Sequence, residues 1–151
     1  NIVHKEAVNY LEGANSSLGI FYILEIDLDF EKKNSLYINE LNIFFKDAKI
    51  FEKESKSLKI VFTHNDFYCG NILNDGKKLW LIDWKYSGFN LDILDLANLS
   101  KNNELNKDED DFILEKYYGS SITLSLKYKF QAMKYTSLLN EILWSTVAEI
   151  K

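Results

Sequence analysis

Proline is absent from the 151 residues, and so is arginine: all 18 basic side chains are lysine. A chain without proline excludes collagen, mucin-like stalks and proline-rich linkers. A chain without a guanidinium fork lacks the side chain best suited to bidentate phosphate or guanine contacts. The charge balance points the same way. Acidic residues number 23, the formal net charge is −5, and a general nucleic-acid binder carries the opposite sign. Cysteine occurs once, at Cys69, so an intrachain disulfide is excluded and a reducing cytoplasm is the expected compartment. No apolar run approaches the roughly 20 residues of a membrane span. No repeat or low-complexity segment is visible. The opening stretch, Asn1 to Leu11, is polar, with no apolar h-region and no initiator methionine; it reads as part of something larger rather than as a signal peptide.

What is present is the composition of a folded domain. Hydrophobic residues make up 46% and aromatics 15%, with 10 Phe and 9 Tyr, so large planar side chains dominate the core. A chain of this length fits one domain and buries roughly 68–70% of its unfolded surface. A short helix is expected from Ile2 to Leu11, ended by Gly13. Leu24 to Phe30 alternates in a way that suits a strand, although a helix also fits. Leu36, Leu41, Ile43, Phe44, Phe45, Ala48 and Phe51 form a helical stripe. Leu58 to Phe62 reads as a buried strand, and Thr63 to Gly70 as a polar loop. Two short apolar runs, Asn71–Leu73 and Leu79–Ile82, flank an Asp75-Gly76 turn and predict a hairpin. Asp92 to Leu99 should be a short helix. Asn102 to Asp111 reads as a charged loop before a helix over Asp111 to Tyr118, stopped by Gly119. Ser121 to Lys151 reads as one long helix. Its apolar positions, Leu124, Tyr128, Met133, Tyr135, Leu138, Leu139, Ile142, Leu143, Trp144 and Val147, are expected in the core.

The chemistry concentrates in THNDFYCGNIL, Thr63 to Leu73, and LIDWKYSGFNLDILDLANL, Leu81 to Leu99. His64, Asp66 and Asn71 lie on a polar loop between two apolar strands, spaced H-x-D-x-x-x-x-N. A fixed aspartate there can accept a proton from a hydroxyl. An asparagine five residues on can wrap back and offer its amide oxygen to a hard cation. Asp83 ends the next strand, across a tight hairpin whose strands are about 4.7–4.9 Å apart, so Asn71 and Asp83 can meet at one ion. Oxygen ligands of this kind suit Mg²⁺, which keeps waters and takes its other ligands from phosphates.

The spacing resembles the catalytic loop of kinases, with the aspartate of I-D-W in place of that of D-F-G. The H-N-D variant, the I-D-W-x-Y-S-G run and the D-L-A-N that follows resemble the choline/ethanolamine kinase family and, more distantly, the aminoglycoside phosphotransferases. The motifs cover Thr63 to Leu99 densely, and LLNEILWSTVAEI resembles the family's Trp-bearing last helix more loosely. The resemblance implies an α+β, mainly helical fold. It implies the C-terminal lobe of a protein-kinase-like phosphotransferase, with small β-hairpins carrying the active site. It implies Asp66 as catalytic base, Asn71 and Asp83 as Mg²⁺ ligands, His64 as a loop brace, and Asp95 as the acid that holds the catalytic loop. The implied reaction transfers the γ-phosphate of ATP to the hydroxyl of choline or a similar amino-alcohol.

Three departures from the family pattern matter. Residues 1–151 contain no upstream glycine-rich loop and no strand-borne lysine with a helical glutamate partner. The chain therefore reads as the catalytic lobe alone, inactive in isolation, with its ATP-clamping lobe expected in a full-length parent. Lys85 stands where the family typically has a glutamate near the bound ammonium group, which sets a like charge against choline. The final helix has Trp144, but the family's second tryptophan falls at Glu141. Tyr86, Trp144, Glu141 and Lys85 are thus the substrate-binding candidates, since aromatic faces and carboxylates bind ammonium groups. Two alternatives follow: a kinase for another small alcohol, a sugar or an aminoglycoside, which Lys85 favours, and a non-catalytic remnant or binding module. Neither nucleic acid nor membrane is an expected partner. Elsewhere, His4 reads as a surface residue, Cys69 as a small loop side chain, Trp84 equally as core or as a cation-binding face, and Asp108 to Asp111 as acids at a helix start.

Overall fold

A computed structural model describes residues 2–6, 19–31, 38–119 and 122–150. Among the described residues, six α-helices and four short strands follow in the order α1 (Ile2–Glu6), α2 (Ile20–Glu31), α3 (Ile38–Glu54), β1 (Ile60–Thr63), β2 (Ile72–Asn74), β3 (Leu79–Leu81), β4 (Gly88–Leu91), α4 (Asp92–Asn102), α5 (Lys107–Tyr118) and α6 (Leu124–Ile150). The mainly helical α+β expectation holds. Leu36, Gly13 and the end of the first expected helix lie outside the described residues. So does the side chain of Val147.

The strands form two antiparallel pairs. β1 runs against β4 with Ile60 opposite Leu91 and Thr63 opposite Gly88; β2 runs against β3 with Ile72 opposite Leu81. The β2–β3 hairpin turns where the sequence expects it. Gly76 takes φ 82°, the left-handed region open to glycine. Asp75 closes the turn by accepting from the amides of Lys77 and Lys78, both at 2.9 Å, and from the Trp80 indole at 2.7 Å. Those donors, the indole first, hold its carboxyl below the ordinary value.

α6 is the spine, packed against α2, α3 and α4. One core cluster joins Ile20, Leu91, Ile93, Leu94, Leu96, Ala97, Leu114, Phe130 and Met133; a second joins Leu24, Leu28, Leu41, Ala48, Leu139 and Leu143. The strand-like alternation of Leu24 to Phe30 resolves as helix. Ile20, Leu24 and Leu28 repeat every four residues and are buried, while Ile26, an alternation position, is exposed. The stripe of α6 is only partly core. Met133, Leu139 and Leu143 are buried, but Leu124, Tyr128, Tyr135, Leu138, Ile142 and Trp144 are exposed. Two residues turn a helix about 200°, so Tyr135 faces away from the side Met133 buries.

The expected loop over Asn102 to Asp111 is also corrected. α5 begins at Lys107 because Asn106 caps it. The Asn106 side chain accepts from the amides of Asp108 and Glu109, and Glu109 reaches back to the Asn106 amide at 2.9 Å. The acid run therefore divides. Asp108 and Glu109 sit in the capped turn. Asp110 is buried, taking Lys134 at 2.9 Å, Gln131 at 3.1 Å and the Ser100 hydroxyl, and Asp111 pairs with Lys127. Only the first two act as the sequence suggested.

Among the described residues no helix is long and apolar enough to cross a membrane.

Candidate active site

The loop after β1 is built from backbone bonds and short polar side chains. Thr63, fully buried, places its hydroxyl 2.7 Å from both Gly88 O and Asn65 Oδ1. Asn65 takes φ 64°, a left-handed geometry that asparagine tolerates, and its side-chain Nδ2 donates to Tyr86 O at 2.9 Å. Beneath the loop, α4 presents Asp95. Its Oδ2 accepts from the His64 amide at 2.8 Å and its Oδ1 from the Asn65 amide at 2.9 Å. Three residues on, Asn98 donates to Asn65 O at 3.0 Å, while its own oxygen accepts from the Ser137 hydroxyl of α6 at 2.5 Å. The turn carrying His64 and Asn65 is thus pinned through both backbone polarities to a buried helix.

His64 is fully buried and donates from Nε2 to Ile82 O at 2.8 Å, tying the loop to the end of the hairpin. That carbonyl fixes the proton on Nε2, and Nδ1 has no hydrogen-bond partner among the described residues. Trp84 packs edge-on to His64 at 4.9 Å and stacks on Phe62 at 6.3 Å, with its indole N–H on Leu81 O. Trp84 is half-buried, and these contacts brace the loop against β1.

Asn71 is buried and donates from Nδ2 to Asp66 O at 2.9 Å, with Asp66 Oδ2 at 3.4 Å. Its backbone carbonyl accepts from the Ile82 amide at 3.0 Å, so the residue before Asp83 is bonded directly to Asn71. Asp83 takes φ 60°, which ends the strand pleat and starts the single helical turn Trp84–Tyr86. Its carboxylate lies 3.5 Å from Lys85 Nζ, and the same ammonium sits over the Tyr86 ring at 4.9 Å.

The structure therefore brings together Asp66 with Asn71, His64 with Asp95, and Asp83 with Lys85 and Tyr86. The remaining substrate candidates lie on α6. Trp144 is 59% exposed there, and Glu141 pairs with Lys101 of α4. Cys69 is exposed on the loop. Asn65, Asn98 and Ser137 were not singled out from sequence. Asn98 was legible, as the last residue of D-L-A-N, one helical turn after Asp95 and on the same face.

The expectation for His4 is overturned. Its side chain is 7% exposed and bridges Asp95 and Tyr117. Around it lies a buried polar cluster. Burial is the main cause that pushes the Asp92 carboxyl above 3.8, against the opposing influence of the Tyr118 hydroxyl, His4 and Lys59. Burial and Asp92 push the Tyr117 and Tyr118 hydroxyls well above the ordinary phenol range. Asp92 thus keeps a proton in the folded chain at a pH where the unfolded chain has released it. Stability falls as pH rises from 3.8 through the raised value, and the loss persists above it. Asp92→Asn is expected to raise the thermal midpoint at pH 7 and to change it much less at pH 4. An equal change at both pH values would refute this.

The donors at Asn71 and Asp83 suit a hard divalent cation that retains waters and phosphate oxygens. The approach of Lys85 shows that the Asp83 carboxylate already attracts a positive partner. Among the described residues no three His, Cys, Asp or Glu cluster as an all-protein metal cage would require.

A sequence model of choline/ethanolamine kinase matches residues 2–118. Protein LicA of Haemophilus influenzae is 26% identical over 160 residues, covering 97% of this chain and 47% of that protein; for LicA of strain Rd the same identity covers 60% of the protein. The chain spans about half the length of these curated relatives. Among solved structures, choline kinase LicA from Streptococcus pneumoniae superposes with a TM-score of 0.79 at 20% identity, over 98% of this chain and 52% of that one. A choline/ethanolamine kinase family protein from Mesorhizobium loti gives 0.74 at 21%, over 86% and 46%. These superpositions establish the fold.

Proposed function

The chain belongs to the choline/ethanolamine kinase family, and from that premise we propose that it carries the phosphoryl-transfer site of an ATP- and Mg²⁺-dependent kinase acting on choline or a similar amino-alcohol. The observation that carries the reading is the Asp66–Asn71 pair, set on a loop whose backbone is bonded to buried Asp95 and Asn98. In this reading Asp66 orients the acceptor hydroxyl and takes its proton. The acceptor oxygen forms a bond to the γ-phosphorus as the bond from that phosphorus to the bridging oxygen breaks, and ADP leaves. Asn71 offers its amide oxygen and Asp83 its carboxylate to Mg²⁺, which would neutralise charge on the phosphates. Such chemistry is mostly positioning and electrostatics, so few protein groups suffice.

The relatives' names support this reading, and one solved relative was crystallised with AMP. We place the ATP clamp in a longer polypeptide of which residues 1–151 are the C-terminal lobe. Cytoplasmic ATP fits the reading. A second version has a sugar or aminoglycoside hydroxyl as acceptor; Lys85 favours it for a neutral sugar, since an aminoglycoside is itself cationic. A coupled ADP-release screen of the full-length polypeptide over amino-alcohols, sugars and aminoglycosides decides between them. Choline or ethanolamine turnover is expected, with little turnover by the 151-residue chain alone. No turnover with any acceptor would leave the non-catalytic reading standing.

A further inference from the structure

A buried polar chain ties α1 to the underside of the catalytic loop. His4 Nε2 lies 2.9 Å from Asp95 Oδ2, and His4 Nδ1 lies 2.6 Å from the Tyr117 hydroxyl. The Tyr117 ring meets the imidazole edge-on at 5.4 Å. A carboxylate only accepts, so the bond pattern assigns an Nε2 proton to the Asp95 contact, while Nδ1 pairs with the tyrosine hydroxyl, which can donate or accept. Burial keeps that hydroxyl protonated. Both ring nitrogens are then satisfied at a site where an unmet donor is costly. The Asp95 oxygen that takes the imidazole also takes the His64 amide at 2.8 Å. Imidazole and loop converge on one carboxylate, itself 3% exposed.

We propose that His4 is a positioning residue for phosphoryl transfer: by bonding Asp95 it fixes the backbone at His64 and Asn65, and with that backbone the setting of Asp66. Without the imidazole, Asp95 keeps the two loop amides but loses its side-chain donor from α1 at Oδ2. The carboxylate can then turn, and the loop turns with it. The brace stands on geometry; its effect on turnover rests on the function proposed above.

The test uses three variants of the full-length polypeptide. His4→Gln keeps an N–H near the position of Nε2. His4→Asn reaches only about as far as Nδ1. His4→Ala keeps neither. Amide hydrogen exchange is read at His64 and Asn65, alongside kcat and KM. In His4→Ala, exchange at these two loop amides is expected to accelerate about tenfold relative to the amides of α4 and α5. A small displacement of the reacting groups should lower kcat by about tenfold to a hundredfold, with KM for ATP little changed. His4→Gln should restore both readouts, and His4→Asn should not. If His4→Ala does not fold, the Gln and Asn variants decide. Unchanged exchange at His64 and Asn65 overturns the proposal. So does acceleration spread evenly over α4 and α5 that Gln fails to correct, since that is the signature of packing alone. If exchange behaves as expected but no form phosphorylates any alcohol, the brace is upheld and the kinase reading is what fails.

Discussion

Asp83→Asn is expected to lower Mg²⁺-dependent turnover of the full-length polypeptide by roughly 100- to 1000-fold, the scale seen when one electrostatic stabiliser is removed from a reacting centre. Asparagine is the informative replacement. Asp83 sits at φ 60°, and asparagine adopts that left-handed geometry about as readily as aspartate. The only ion pair described for its carboxylate is with Lys85 at 3.5 Å, and both side chains are largely exposed. An exposed pair contributes about 0–1 kcal/mol, so the fold should scarcely respond. The amide keeps an oxygen but loses the charge that holds a cation, so the deficit should ease partly as Mg²⁺ is raised. The checks are kcat against Mg²⁺ concentration and the thermal midpoint. Turnover within threefold of the unmodified protein would remove Asp83 from the metal site. A large fall in the midpoint would mean that Asp83 acts on folding instead.

The local contacts of the candidate site were more legible than the scaffold around it, and the reasons are physical. Asp66 and Asn71 share one loop, where local spacing brings them together, and Asp83 follows Ile82, whose amide is bonded to the Asn71 carbonyl. An Asp-Gly turn between two short apolar runs leaves little freedom in register, and the observed Ile72–Leu81 pairing follows from it. Helix faces were harder. In α2, acids at Glu25, Asp27 and Asp29 mimic strand alternation, and the burial that decides the matter comes from α6. The start of α5 was misplaced by four residues because the capping asparagine lay within what read as a charged loop. His4 was beyond local reasoning. Its partners are 91 and 113 residues away, and no pattern around Asn1 to Glu6 points to them. Asp110 was hidden similarly, since a run of four acids gives no sign that the third is buried against α6.

Lys85→Glu is expected to raise kcat/KM for choline by about tenfold in the full-length polypeptide. In the proposed site a cationic acceptor must be met by aromatic faces and carboxylates, with Tyr86, Trp144, Glu141 and Asp66 as candidates. An ammonium about 6 Å from the substrate charge repels it by roughly 3 kcal/mol at an effective dielectric near 20, equivalent to about a hundredfold. The structure lowers that ceiling. Lys85 is 57% exposed and pairs with Asp83, so solvent and a countercharge screen much of its field. Glutamate removes the residual repulsion and adds an attraction, while Lys85→Gln only removes the repulsion. The expected order for choline is therefore Glu, then Gln, then Lys, with a neutral alcohol nearly indifferent to the change. Losing the ammonium beside Asp83 should also lower the Mg²⁺ concentration needed for half-maximal rate. Unchanged or poorer choline use by a folded Lys85→Glu protein would mean that Lys85 does not limit choline use and that a cation site of the family's kind is not kept in place here.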